Sequence, residues 1–215
     1  MSRRLASRTP LIQPRDDVPP NATARPRHVV ALAASAGGLA ALSRILSALP
    51  AGFPAPILVL QHLDPRHPSW LAEILGKRTG LRVAQARAGE PLAAGTVLIA
   101  PPGHHLLVGA DGVLALADTD RVQFSRPSAD VLFASLAESW GPGAIAVVLS
   151  GRGLDGADGV RAIKRRGGTV IVQDEASAEH AGMPSAAILS GAADQILPLD
   201  SIAAALVELT GGRSL

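Results

Sequence analysis

From residue 28 onward, short uninterrupted apolar runs alternate with amphipathic stretches, and Gly- or Pro-rich turns separate them. Residues 29–33, 56–60, 97–100, 144–149 and 169–172 show no polar alternation, the pattern of strands buried on both faces. The spacing predicts helices near 38–49, 68–79, 128–140, 156–166, 184–190 and 200–210, with Ser128 and Asp200 as N-caps and Gly167 as a C-terminal stop. Residues 106–108 and 113–116 flank Asp111-Gly112, a strong hairpin signal. The order implies an α/β fold: a doubly wound, mostly parallel sheet with helices on both faces and an antiparallel hairpin excursion. No internal repeat is visible.

Composition sharpens this picture. The chain has 215 residues, of which 47% are hydrophobic and only 2% aromatic. Its core must therefore be built from Ala, Val, Leu and Ile in closely packed layers. The apolar pattern occupies residues 27–212, one domain, whereas residues 1–26 read as a disordered arm rich in Arg and Pro. Ser2-Arg3-Arg4 invites comparison with an export signal, but Arg8, Pro10, Pro14 and Arg15 stand where the required apolar stretch would be. No run approaches the roughly 18 apolar residues of a membrane span, so no membrane insertion is expected. The net charge is +2, and six arginines between Arg3 and Arg27 carry much of the basic excess. A basic stripe on the folded part, with stacking aromatics, is not evident, and nucleic-acid binding is not expected. The absence of cysteine excludes disulfides, thiolate metal sites and cysteine nucleophiles, and fits a cytoplasmic protein.

In open parallel sheets, ligands bind beyond the carboxyl ends of the strands. The residue after each predicted strand is thus a candidate for chemistry. Ala34-Ser35-Ala36-Gly37-Gly38 follows the first strand, Gln61-His62 the second, and Ser150-Gly151-Arg152-Gly153-Leu154-Asp155-Gly156 the fourth. A serine, a histidine and a carboxylate fall on one rim. A hydroxyl needs a base to become nucleophilic, imidazole accepts and returns a proton near neutrality, and a carboxylate fixes the imidazole tautomer. Gly37 and Gly38 permit a tight turn and close approach of substrate to backbone N–H groups, where an oxyanion would be held. Each residue also has a plainer role open to it: Ser35 as a helix cap or phosphate contact, His62 as a solvated side chain, Asp155 as a turn residue. Asp174, also after a strand, competes with Asp155 on equal topological terms. Dinucleotide binding at Gly37-Gly38 lacks the G-x-G-x-x-G spacing. His67, His104 and His105 with Asp64 form an imaginable metal cluster, but adjacent strand residues point to opposite faces, so neither a metal nor any other cofactor is expected.

At these residues the chain resembles the catalytic domain of chemotaxis protein-glutamate methylesterases, the CheB family. The matching segments are Ala33-Ala34-Ser35-Ala36-Gly37-Gly38, Gln61-His62, Ile99-Ala100-Pro101, Arg126-Pro127-Ser128-Ala129-Asp130-Val131-Leu132-Phe133, Gly151-Arg152-Gly153-Leu154-Asp155-Gly156-Ala157 and Glu175-Ala176-Ser177 with Gly182-Met183-Pro184. They occur in family order across about residues 28–208. The resemblance implies Ser35 as nucleophile, His62 as general base and Asp155, rather than Asp174, as the orienting acid. It implies hydrolysis of glutamyl methyl esters on the cytoplasmic domain of methylated chemoreceptors, releasing methanol, and deamidation of receptor glutamines in many members. Three features depart from the family: Ala33 and Ala36 replace its glycine and threonine around the serine, Arg152 replaces its methionine, and residues 1–26 are too short for its receiver domain. Constitutive activity, or control by a separate response regulator, is expected in its place. A binding module of the same fold, docking on receptor or signalling partners without turnover, is the alternative.

Overall fold

The computed structural model describes residues 25–64, 66 and 69–211. Most of the N-terminal arm, and His67, lie outside the described residues. The chain runs β1 (Val29–Ala34), α1 (Gly38–Ala48), β2 (Ile57–Gln61), α2 (Leu71–Gly76), β3 (Arg82–Gln85), β4 (Thr96–Ile99), β5 (His105–Val108), β6 (Leu114–Ala117), α3 (Ala129–Trp140), β7 (Ala144–Val148), α4 (Ala157–Arg165), β8 (Thr169–Gln173), α5 (Gly182–Leu189), β9 (Gln195–Leu197) and α6 (Leu199–Thr210). A 3-10 turn, Gly141–Gly143, links α3 to β7.

Seven strands form one sheet in the order β3-β4-β2-β1-β7-β8-β9, and every pairing in it is parallel. β5 and β6 make a separate antiparallel hairpin, so the predicted excursion is a second small sheet rather than part of the first. Strands β1, β2, β4 and β7 are buried throughout, as their uninterrupted apolar runs required. Alternate residues of β1 feed two cores. Val29, Ala31 and Ala33 pack with α3, α4, α5 and the hairpin; Val30, Leu32 and Ala34 pack with α1, α2 and α6. Helices therefore cover both faces.

The differences from the sequence reading have physical causes. β3 and β9 are the two edge strands, and their mixed, partly exposed residues carry no buried-strand signature. Asp200 does not cap α6. It lies inside the helix and forms a two-bond pair with Arg44 of α1. Gly167 does stop α4: it adopts φ +79° and its N–H returns to the carbonyl of Lys164.

The chain turns to opposite sides of β1, reaching β2 on one side and β7 on the other. This switch point opens a crevice at the carboxyl ends of β1 and β7. Two backbone bonds tie its floor together: Ser35 N–H donates to the Ser150 carbonyl (3.0 Å) and His62 N–H to the Ala34 carbonyl (3.1 Å).

Candidate active site

Ser35 follows β1 directly, and the chain then turns into α1 through Gly37, which adopts φ +77°. A side chain at Gly37 would come within 2.6 Å of Ser150 Oγ and 2.8 Å of Glu179 Cβ, and one at Gly38 would collide with the Gln61 amide. Both glycines are needed for crowding, and Gly37 for conformation as well. The N–H groups of Ala36 and Gly37 form no hydrogen bond among the described residues, leaving two donors at the start of α1 beside the serine.

The turn is braced from both flanks. Gln61 Nε2 donates to the Ser35 carbonyl (2.7 Å) and to the His62 carbonyl (3.2 Å). Ser150 Oγ donates to the Ala36 carbonyl (2.8 Å), and the His180 N–H donates to that same hydroxyl (3.0 Å). Gln173 Oε1 accepts the Ser150 N–H (2.9 Å). Ala36 thus contributes to the brace through its backbone carbonyl.

His62 and Asp155 meet: His62 Nε2–H donates to Asp155 Oδ2 at 2.8 Å. The imidazole is reversed relative to the template in which Nδ1 faces the carboxylate, and Nδ1 is the nitrogen left for a second partner. The Ser35 hydroxyl forms no hydrogen bond among the described residues. Ser35 lines a cleft of about 660 Å³ with Leu39, Trp70 and Ile74, and His62 lines the neighbouring groove with Arg121, Phe124 and Arg126. Leu63 borders both. The three sequence-predicted residues share one rim, and a hydrogen bond joins two of them.

Asp155 is buried and accepts four hydrogen bonds. Besides His62, Ala129 N–H donates to Oδ2 (2.7 Å), while Ser128 Oγ (2.7 Å) and Asp130 N–H (3.1 Å) donate to Oδ1. Ser128 occupies the N-cap position of α3, as its sequence position predicts, yet its hydroxyl makes no capping bond to the helix. Asp155 caps α3 from a distant segment instead. Burial pushes the Asp155 carboxyl up, but the bonds from His62, Ser128, Ala129 and Asp130 outweigh it and hold the pKa below its ordinary value. The ionised form is thereby favoured.

Asp130 returns the favour to α4. Its Oδ1 accepts the N–H groups of Gly156 (3.0 Å) and Gly159 (2.7 Å). Burial, then the charges of Asp155 and Asp158, push its carboxyl up to about 6 against the lowering effect of those bonds. His105 is fully buried; its Nε2–H donates to the Asp120 carbonyl (3.0 Å) and its Nδ1 accepts the Ser128 N–H (3.2 Å). Both ring nitrogens are engaged, Nδ1 holding Ser128 and Nε2–H anchoring the ring to Asp120. His104 instead pairs with Asp118 on the surface. Among the described residues no three of His, Asp and Glu are grouped to hold a metal ion. Asp174, the topological rival of Asp155, accepts the N–H and hydroxyl of Ser177 and so closes a local turn. His105 and Gln173 were not legible as site residues, and although Gln61, Ser128, Asp130 and Ser150 fall in segments the sequence brought out, their bracing bonds were not, because each has a partner distant in sequence.

The CheB methylesterase family model matches residues 30–206. The chain belongs to the CheB methylesterase family. It is 44% identical over 206 residues to the protein-glutamate methylesterase FrzG of Myxococcus xanthus, covering 96% of this chain and 60% of that protein. It is 46% identical over 199 residues to a protein-glutamate methylesterase/protein-glutamine glutaminase of Anaeromyxobacter dehalogenans, covering 93% of this chain and 58% of that protein. The chain thus spans about three fifths of the length of these relatives. The crystal structure of the Thermotoga maritima CheB methylesterase catalytic domain superposes with a TM-score of 0.82 at 38% identity, covering 85% of this chain and 98% of that one. No helix among the described residues is long and apolar enough to cross a membrane.

Proposed function

We propose that the chain is a serine esterase that hydrolyses glutamyl methyl esters on the cytoplasmic domain of chemoreceptors. The observation that carries the reading is the His62–Asp155 bond, made by a carboxylate held ionised by four donors, on the rim where Ser35 stands. Ser35 Oγ attacks the ester carbonyl carbon while His62 Nδ1 takes the hydroxyl proton. The carbonyl oxygen becomes an oxyanion facing the Ala36 and Gly37 N–H groups. Collapse expels methanol, which leaves with the proton from His62, and a glutamyl-serine ester remains. Water, deprotonated by His62, then hydrolyses that ester to glutamate and restores Ser35. The same steps on a glutamine side chain release ammonia, so deamidation of receptor glutamines belongs to the proposal. Asp155 keeps the imidazole oriented and stabilises the transient imidazolium.

The test is methanol release from a panel of methylated receptors of the same cell. Ser35→Ala is expected to abolish release with the melting temperature unchanged; full activity in that variant would refute the assignment. Release measured with and without separate response regulators then tests control in trans, and equal rates mean constitutive activity.

A further inference from the structure

The chain is poor in aromatics: two Trp, three Phe and no Tyr. Phe53 and Phe133 are fully buried and Trp140 nearly so, but Trp70 is 63% exposed and Phe124 is 92% exposed. Both border the candidate site. Trp70 lines the cleft that contains Ser35, and Phe124 lines the groove that contains His62. Leu39 and Ile74, both exposed, continue the apolar surface around Trp70, and the exposed Leu154 immediately precedes Asp155. Exposed aromatics in an aromatic-poor chain, gathered at one place, mark a surface meant to be covered.

The backbone under Phe124 supports this. Val122 and Ser125 exchange both backbone hydrogen bonds (3.1 and 2.8 Å), enclosing a two-residue turn in which Gln123 has φ +48° and Phe124 φ +62°. Turns with two positive φ angles favour Asn-Gly, and a bulky residue in the left-handed region is strained. With 92% of the side chain in solvent, no packing within the fold offsets the strain. It is retained where it holds a phenyl ring beside the imidazole.

We infer that Trp70 and Phe124 are paired anchors for a protein substrate, seating the polypeptide on either side of its glutamyl ester; this rests on the esterase reading above. A cleft of about 660 Å³ is of the size that encloses a whole drug-sized ligand, far beyond one methyl ester. What fills it is the surrounding polypeptide. Arg126 Nη1 donates to the Asp118 and Thr119 carbonyls, while the exposed Arg121 borders the Phe124 side, so the fitting segment carries apolar side chains flanking the ester and a carboxylate beyond them on that side. Anchoring residues of this kind act on binding, whereas the machinery of Ser35, His62 and Asp155 acts on turnover.

The experiment measures kcat and KM for the methylated cytoplasmic domain of a chemoreceptor with Trp70→Ala, Phe124→Ala and the double variant. Each single change should raise KM by at least about tenfold and the double by about a hundredfold, with kcat within about twofold and melting temperatures unchanged. A native KM in the double variant would overturn the inference, as would a fall in kcat at constant KM. Absence of methanol release by the unaltered chain would remove the esterase reading and the anchors with it. An active chain whose double variant keeps its KM removes the anchors alone.

Discussion

A buried carboxylate is costly unless its lone pairs are filled, and Asp155 fills them with four donors from three sources: an imidazole, a hydroxyl and two helix N–H groups. Those donors prefer the ionised form, which is why the carboxyl stays below its ordinary range despite burial. The consequence for catalysis is orientation. Of the two imidazole nitrogens of His62, only Nε2–H faces this carboxylate, and in the proposed reaction the remaining Nδ1 takes the Ser35 proton. Asp155→Asn replaces one carboxylate oxygen by an amide donor and would favour the other tautomer. The expected result is a loss of kcat of about 10⁴-fold with KM little changed, read by methanol release at saturating receptor. A loss below about tenfold would show that Asp155 does not orient the base.

At the scale of elements, α3 and α4 cap one another. Asp155, just ahead of α4, holds the first N–H groups of α3, and Asp130, in the first turn of α3, holds Gly156 and Gly159 of α4. Each carboxylate satisfies orphan donors and faces the positive end of a helix dipole. The helices can approach this closely because Gly159 has no side chain; a Cβ there would lie 2.8 Å from Phe133 Cβ and 3.0 Å from Asp130 Cα. Burial first, and then the charges of Asp155 and Asp158, push Asp130 up to about 6. Because its folded-state pKa is raised, the folded chain holds more protons than the unfolded chain between about pH 4 and 6, and stability falls as pH rises through that window. Asp130→Asn keeps the Oδ1 acceptor without the charge. Its stability relative to the native chain should therefore climb between pH 4 and 6, by up to about 2 kcal/mol after allowance for solvent screening, and level off above pH 7. Denaturant titrations at a series of pH values check this, and a difference that does not vary with pH would contradict it.

At the scale of the molecule, one sheet separates two cores, and β1 stands at its centre with every side chain buried. Leu32 is fully buried among the residues packed under α1 and α6. Leu32→Ala should cost about 2–5 kcal/mol and lower the melting temperature by on the order of 10 °C, as calorimetry would show, whereas Trp70→Ala on the surface should leave it unchanged. The long-range order that places β1 centrally also explains what was legible beforehand. The apolar runs of β1, β2, β4, β7 and β8 announce a buried parallel sheet through local composition alone, and the rule that ligands sit beyond strand carboxyl ends then points to Ser35, His62 and either Asp155 or Asp174. Sequence by itself determined the layers, the rim and the candidate chemistry, because each depends on patterns a few residues long. Only the tertiary structure joined His62 to Asp155 while placing Asp174 in a local turn with Ser177, revealed the edge strands β3 and β9, and showed that α3 is capped from α4's side, with His105 bracing Ser128 and Gln61 bracing the turn after Ser35. Those outcomes depend on hydrogen bonds between residues as far apart in the chain as His62 and Asp155, and no local pattern encodes which distant donor meets which acceptor.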